Sequence, residues 1–362
     1  MIKPGAVVIV GGGLAGLHAA WRLQQAGLDW RLFEGRERLG GRIESARAPS
    51  GASTGIDLGP SWFWPHQSRI QNLLQAFSIP WFEQYTRGAA LFEQAPGQPP
   101  VRSQGAGAAL SYRIRGGTTA LVSALADALA PERIQTGQRV ERAVREGHSW
   151  LLTLVGGDGP GVERADQLVL AVPPRLALRI LGSAGLSPEL SATLGRQQTW
   201  MSAQAKFVAA YSSPFWRESG LAGEGFSRVG PLVEIHDASP EPVEQGALFG
   251  FVGVPALQRR SLDEELLTHH CLVQLERLFG ARAGRPEFTV LRDWAREPLT
   301  ATEADLREPP AHARFQAERF APELAGLALR LAGSEFAAGE PGYLEGALEA
   351  STSAAEHILD LA

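Results

Sequence analysis

Gly11, Gly13 and Gly16 fall in the spacing G-x-G-x-x-G within GGGLAG, and Glu34 stands about 20 residues beyond them. Residues of these types at this spacing hold a dinucleotide. Gly11 permits a tight turn, Gly13 lets the backbone approach a pyrophosphate, and Gly16 lets a helix pack close to the preceding strand. The helix start at Leu14 and Ala15 offers free N–H groups to phosphate, while Glu34, followed by Gly35 and Arg36, accepts from ribose hydroxyls. A second group stands out by its rarity. Of 34 basic residues only Lys3 and Lys206 are lysine. Lys206 lies in AQAKFVAAY, an apolar strand-like run in which a cation is costly unless it is paired or loses its proton. The plain alternative is a strand-edge lysine reaching for water, a role that arginine fills elsewhere in this chain. Burial is expected to lower the Lys206 pKa and leave a neutral, hydrogen-bonding amine.

The elements that position these groups are legible. Residues 6–10 (AVVIV) form a β-branched run suited to a strand buried on both faces. Residues 14–26 then form a helix that turns Leu17, Trp21, Leu23 and Leu28 to the sheet and stops at Gly27. Residues 30–33 form the second strand and end at Glu34. The βαβ unit is complete. Gly40-Gly41-Arg42 follows, placing a flexible turn and a guanidinium beside the expected pyrophosphate. Residues 168–172 form a buried strand ended by Pro173-Pro174, which opens a helix over 174–181. Near the C-terminus a strand over 329–332 leads to Gly333-Ser334-Glu335. Gly342-Tyr343-Leu344 then opens a helix to residue 361. Residues 263–279 form an amphipathic helix whose His269, His270 and Cys271 match no metal spacing. Residues 94–107, polar and rich in Gly and Pro, are expected as a loop or lid.

Composition narrows the function classes. A chain of 362 residues with 44 % apolar and 20 % charged residues is globular and long enough for two domains, at roughly 100–200 residues each. A net charge of -5 and a pI near 6.0 argue against nucleic acid or anionic lipid as partner. The single cysteine, Cys271, cannot close an internal disulfide or build a thiolate metal site. The opening MIKPGA shows no signal-peptide pattern, and no run of about 18 apolar residues occurs, so a cytoplasmic protein is expected.

The segment running from Glu34 to Gly40-Gly41-Arg42 resembles the Glu-x-x-x-x-x-Gly-Gly-Arg extension of the flavin-containing amine oxidase (monoamine oxidase) superfamily. Asp57-Leu58-Gly59-Pro60-Ser61-Trp62 is similar to that family's Asp-Leu-Gly segment, which implies that Gly59, Pro60, Ser61 and Trp62 pass beside the flavin. Arg115-Gly116-Gly117-Thr118, with a helix over 120–130, resembles a further family segment, and Val140 ends a strand where the family's backbone reaches the adenine. The ending, with Glu335 and then Gly342-Tyr343-Leu344-Glu345-Gly346-Ala347, is similar to the family's Gly-x-Glu…Gly-Tyr-x-Glu-Gly-Ala, which touches the flavin ring edge and ribityl phosphate. Lys206, a few residues ahead of Pro214-Phe215-Trp216, matches the family's active-site lysine, which holds a water on flavin N5 and assists reoxidation by oxygen.

The resemblance implies an α/β fold: a Rossmann-like FAD-binding domain of the GR2 type, from residues 1–76, 112–178 and 318–362. An α+β substrate domain, residues 77–111 and 179–317, is inserted into it. It implies an FAD-dependent amine oxidase that transfers hydride from the α-carbon of an amine to flavin N5, with oxygen regenerating the flavin and forming hydrogen peroxide. Trp294-Ala295-Arg296-Glu297 matches a family segment, with Trp294 at the cofactor, but residues 298–306 lack the cysteine that tethers flavin in membrane-bound relatives. The flavin is therefore expected to be noncovalent. Tyr343 matches one of the family's two cage tyrosines and Ala304 stands at the position of the other, so the cage is expected to be incomplete. Trp62 replaces the arginine that pairs substrate carboxylate in L-amino-acid oxidases, which favours an amine with an uncharged tail. A short cap implies an open site or a covering homodimer. The competing readings are a flavin desaturase or oxidase of a C–C bond and a non-catalytic flavin redox protein.

Overall fold

The computed structural model describes all residues except 1–5, 47–54, 105–108, 158, 183–184, 244, 309–310, 313 and 362; Lys3 therefore lies outside the described residues. The β-branched run forms the strand Val7–Val10, buried throughout. It is the middle of a five-stranded parallel sheet with order Leu329–Leu331, Gln167–Leu170, Val7–Val10, Trp30–Phe33, Ile134–Gln135. One edge strand comes from near the end of the chain, so both ends of the sequence meet in one sheet. Alternation along Val7–Val10 splits its side chains between two cores. Val7 and Ile9 pack under the helices Leu14–Gln25, Thr119–Asp127 and Leu344–Leu359. Val8 and Val10 pack against the antiparallel sheet of Gln138–Glu146, Ser149–Gly156 and Gly161–Ala165.

A second, seven-stranded sheet has the order Phe288–Asp293, Ala205–Tyr211, Gly246–Val252, Leu232–Asp237, Leu221–Ser227, Ala89–Glu93, Val101–Gln104. The lysine strand, Ala205–Tyr211, is paired antiparallel on both sides and every residue in it is buried. One face packs Phe207 and Ala209 against the helix Glu264–Phe279 through Leu267, Cys271 and Leu275. The other face, with Val208 and Ala210, meets Ile56 and Leu58. Lys206 shares the parity of Val208, which turns it to that second face.

Two expectations are corrected. The polar segment over 94–107 contains Val101–Gln104, which pairs with Ala89–Glu93 as the edge of the large sheet; residues 105–107 lie outside the described residues. Exposed edge strands carry polar residues, which masks their period. Val140 stands near the start of Gln138–Glu146 and not at a strand end. Among the described residues no helix is long and apolar enough to cross a membrane.

Candidate active site

A cavity of about 410 Å³ lies between the two sheets. The structure brings Gly11, Gly13, Leu14, Ala15, Glu34, Gly35, Arg36, Gly41, Arg42, Gly59, Pro60, Ser61, Trp62, Val140, Lys206, Gly342, Tyr343 and Leu344 to its walls. Gly16, Trp294 and Glu335 do not border it; each stands behind a wall and holds it in place. A Cβ on Gly16 would fall inside the carbonyl oxygen of Gly11, so only glycine lets helix and strand approach this closely. The Trp294 indole is fully buried and donates to the carbonyl of Leu58 at 3.1 Å.

The first turn is built for an anion. Gly11 has φ 105°, a conformation that favours glycine, and Gly13 caps Leu14–Gln25 with no side chain on the helix N-terminus and no acid in the first turn. The Glu34 carboxylate is 3 % exposed; Oε2 accepts from the Gly12 N–H at 2.7 Å and Oε1 from the Arg36 N–H at 2.9 Å. Bare backbone, positive helix end and a fixed carboxylate fit a dinucleotide, with phosphate at the first two and ribose at the third.

Arg42 does more than line the cavity. Its guanidinium holds Glu335 through Nη1–Oε1 at 2.5 Å and Nη2–Oε2 at 2.9 Å, and also donates to the Trp200 carbonyl at 2.8 Å and Ser334 Oγ at 3.0 Å. The expected phosphate partner is thus a clasp between the N-terminal and C-terminal loops. A bidentate carboxylate pair is the strongest partner available to a guanidinium.

Lys206 is wholly buried in a strand paired on both sides, so it is not a strand-edge lysine reaching for water. Its Nζ donates to Ser61 Oγ at 2.6 Å and to the Gly59 carbonyl at 3.1 Å, and sits 3.8 Å from the centre of the Phe249 ring. Burial, opposed by the charge of Asp57 and aided by that of Arg113, brings its pKa down from 10.5 to about 7. The strand side thereby presents a part-neutral amine to the Gly59–Ser61 loop.

The aromatic wall differs from expectation. Ala304 is exposed and away from the cavity. Tyr343 meets Trp64 edge-on at 5.6 Å and stacks on His312 at 4.6 Å, which in turn stacks on Trp200 at 3.7 Å. Gly342, at φ 87°, makes room for this: a Cβ there would lie 2.7 Å from Trp200 Cβ. Burial raises the Tyr343 pKa, with Glu340 adding to it, so the phenol keeps its proton. Trp200, His312, Phe251 and Glu234 escaped the sequence reading because no spacing ties positions 200, 234, 251 and 312 to position 343. Cys271 is buried under the opposite face of the large sheet, out of reach of any group in the cavity. Among the described residues no cluster could hold a metal ion.

A family model described as flavin containing amine oxidoreductase matches residues 81–359, and one described as an NAD(P)-binding Rossmann-like domain matches residues 9–77. A probable flavin-containing monoamine oxidase A of Dictyostelium discoideum is 23 % identical, covering 98 % of this chain and 97 % of the relative. A putrescine oxidase of Kocuria rosea is 31 % identical over 54 % of this chain and 40 % of the relative. Two solved structures share the fold. Cyclohexylamine oxidase from Brevibacterium oxydans IH-35A has a TM-score of 0.82 at 18 % identity over 99 % of both chains. Wild-type putrescine oxidase bound to putrescine has a TM-score of 0.80 at 20 % identity, over 98 % of this chain and 99 % of that one.

Proposed function

This chain belongs to the flavin-containing amine oxidoreductase family and is an FAD-dependent oxidoreductase; from that premise we propose that it oxidises a small amine at its α-carbon with oxygen as the final acceptor. FAD bound here would supply a two-electron carrier, able to accept hydride from an amine and to reduce oxygen, so that the products would be an imine and hydrogen peroxide. Gly11, Gly13, Leu14 and Ala15 would receive its pyrophosphate, and Glu34, Gly35 and Arg36 would hold its ribose. Val140 would back the adenine, and the loops at 59–62 and 342–344 would flank the flavin ring. Residues 1–76, 112–178 and 318–362 form the FAD-binding domain in this reading, and residues 77–111 and 179–317 the substrate domain. Tyr343, Trp64 and Trp200 orient the amine and exclude water, which is the protein's main lever on a reaction whose electrons the cofactor carries.

The observation that carries the reading is Lys206. A wholly buried amine that is partly neutral near pH 7, tied to the loop at Gly59 and Ser61, is an expensive device to place in an apolar strand without chemical use. In the reading it hydrogen-bonds beside the reacting face and moves a proton during reoxidation. The test mixes the flavin-loaded protein with a panel of amines under anaerobic conditions, then admits oxygen. Amines bleach the flavin in the wild type, and Lys206→Met still bleaches but reoxidises at least about tenfold more slowly. Bleaching by dithionite alone contradicts the amine oxidase reading; reoxidation at the wild-type rate in Lys206→Met contradicts the role given to the lysine.

A further inference from the structure

One wall of the cavity is a face of the seven-stranded sheet, and strand register sets its residues in rows. Lys206 is paired with Phe251, and Phe251 with Glu234. Directly opposed residues point to the same face, and all three border the cavity. The row runs amine, phenyl ring, carboxylate across two inter-strand spacings, about 10 Å. In the next row Val208 is paired with Phe249, and Phe249 with His236.

Glu234 is the acid that this sheet contributes to the cavity, and its carboxylate is held. His236 Nε2 lies 2.6 Å from Glu234 Oε1, and His236 Nδ1 lies 3.9 Å from Glu224 Oε1. The imidazole and Glu224 are buried, at 9 % and 5 % side-chain exposure, whereas Glu234 is 43 % exposed. His236 is fixed further by the Trp62 indole, edge-on at 4.8 Å. The hydrogen bond to His236 lowers the Glu234 pKa, which keeps the carboxylate ionised. Burial raises the pKa of Glu224, so Glu234 is the acid of this cluster that is held ionised. An anion half open to a cavity walled by Trp62 and Phe251 is stripped of water by an apolar ligand tail and gains nothing in return. A cationic tail restores the lost interaction and also meets the faces of those rings.

We propose that Glu234, oriented by His236, recognises a second ammonium group, so that the substrates are diamines whose reacting nitrogen lies at the Lys206 and Tyr343 end. This rests on the amine oxidase reading and replaces the uncharged tail expected from the sequence. The test uses the FAD-loaded protein with α,ω-diamines and monoamines of matching chain length. The wild type favours the diamine in kcat/KM by about tenfold to a hundredfold, and Glu234→Gln brings that ratio close to one, chiefly through KM. A non-reacting bis-quaternary ammonium probe, titrated calorimetrically, binds Glu234→Gln at least about tenfold more weakly than wild type. Should Glu234→Gln lose its flavin, Glu234→Asp, which keeps the charge on a shorter arm, is read in its place and shows a smaller fall in the ratio. A diamine preference that is absent in the wild type, or unmoved in the variant, overturns this inference alone. Flavin reduced by no amine at all overturns the amine oxidase reading and this inference with it.

Discussion

Replacing Lys206 by methionine should stabilise the protein at neutral pH and destabilise it in alkali. The depression of the lysine pKa from 10.5 to about 7 means that the folded chain binds fewer protons than the unfolded chain between those values. Wild-type stability therefore rises with pH across that window. Below pH 7 the penalty amounts to about 4–5 kcal/mol. Methionine removes it and fills a similar volume, but gives up the hydrogen bonds to Ser61 and Gly59, about 1 kcal/mol each. The net gain is about 2–3 kcal/mol below pH 7 and shrinks by about 1.4 kcal/mol per pH unit above it. It changes sign near about pH 9, where the remaining penalty equals the loss of the two hydrogen bonds, and near about pH 10.5 only that loss is left. The assay is urea unfolding followed by tryptophan fluorescence, with both proteins saturated with FAD, from about pH 6 to about pH 10. A methionine variant less stable than wild type at pH 7, or a difference that does not change with pH, refutes the claim that this lysine is buried at a cost.

Three further outcomes are expected. Glu34→Ala removes the acceptor for the Gly12 and Arg36 N–H groups as well as for ribose, and weakens FAD binding by about tenfold to a hundredfold, read as flavin retained after gel filtration. Denaturation in hot acid releases all flavin to the supernatant, because Cys271 is buried away from the cavity; flavin pelleted with the protein contradicts this. Arg42→Met strands the buried Glu335 carboxylate and lowers stability by about 3 kcal/mol, seen in thermal unfolding, and the double variant Arg42→Met/Glu335→Gln recovers part of the loss.

Local patterns in the sequence carried the first βαβ unit, because turn glycines, a β-branched run and a terminal acid all act within a short stretch of chain. The strand Trp30–Phe33 was read to the residue. The lysine strand was legible for a related reason: one cation among alanines and phenylalanine signals burial without any knowledge of its partners. Contacts set by register were not legible. Glu234 faces the cavity only because Phe251 stands between it and Lys206 in the sheet, and Trp200 and His312 reach Tyr343 only through the folded loops. Arg42 was seen as a charge near phosphate; its capture by Glu335 depends on the two ends of the chain sharing one sheet. The edge strand Val101–Gln104 was missed because it is mostly exposed and carries no apolar alternation.

The most direct measurement is FAD binding to the deflavinated protein, followed by the quenching of flavin fluorescence and the return of yellow colour. One FAD per chain, bound by wild type and lost when Gly13→Val fills the bare turn, is the result expected of a coenzyme gripped between the first loop and the last. A protein that stays colourless in excess FAD, or that binds it equally well with valine in the turn, contradicts the account.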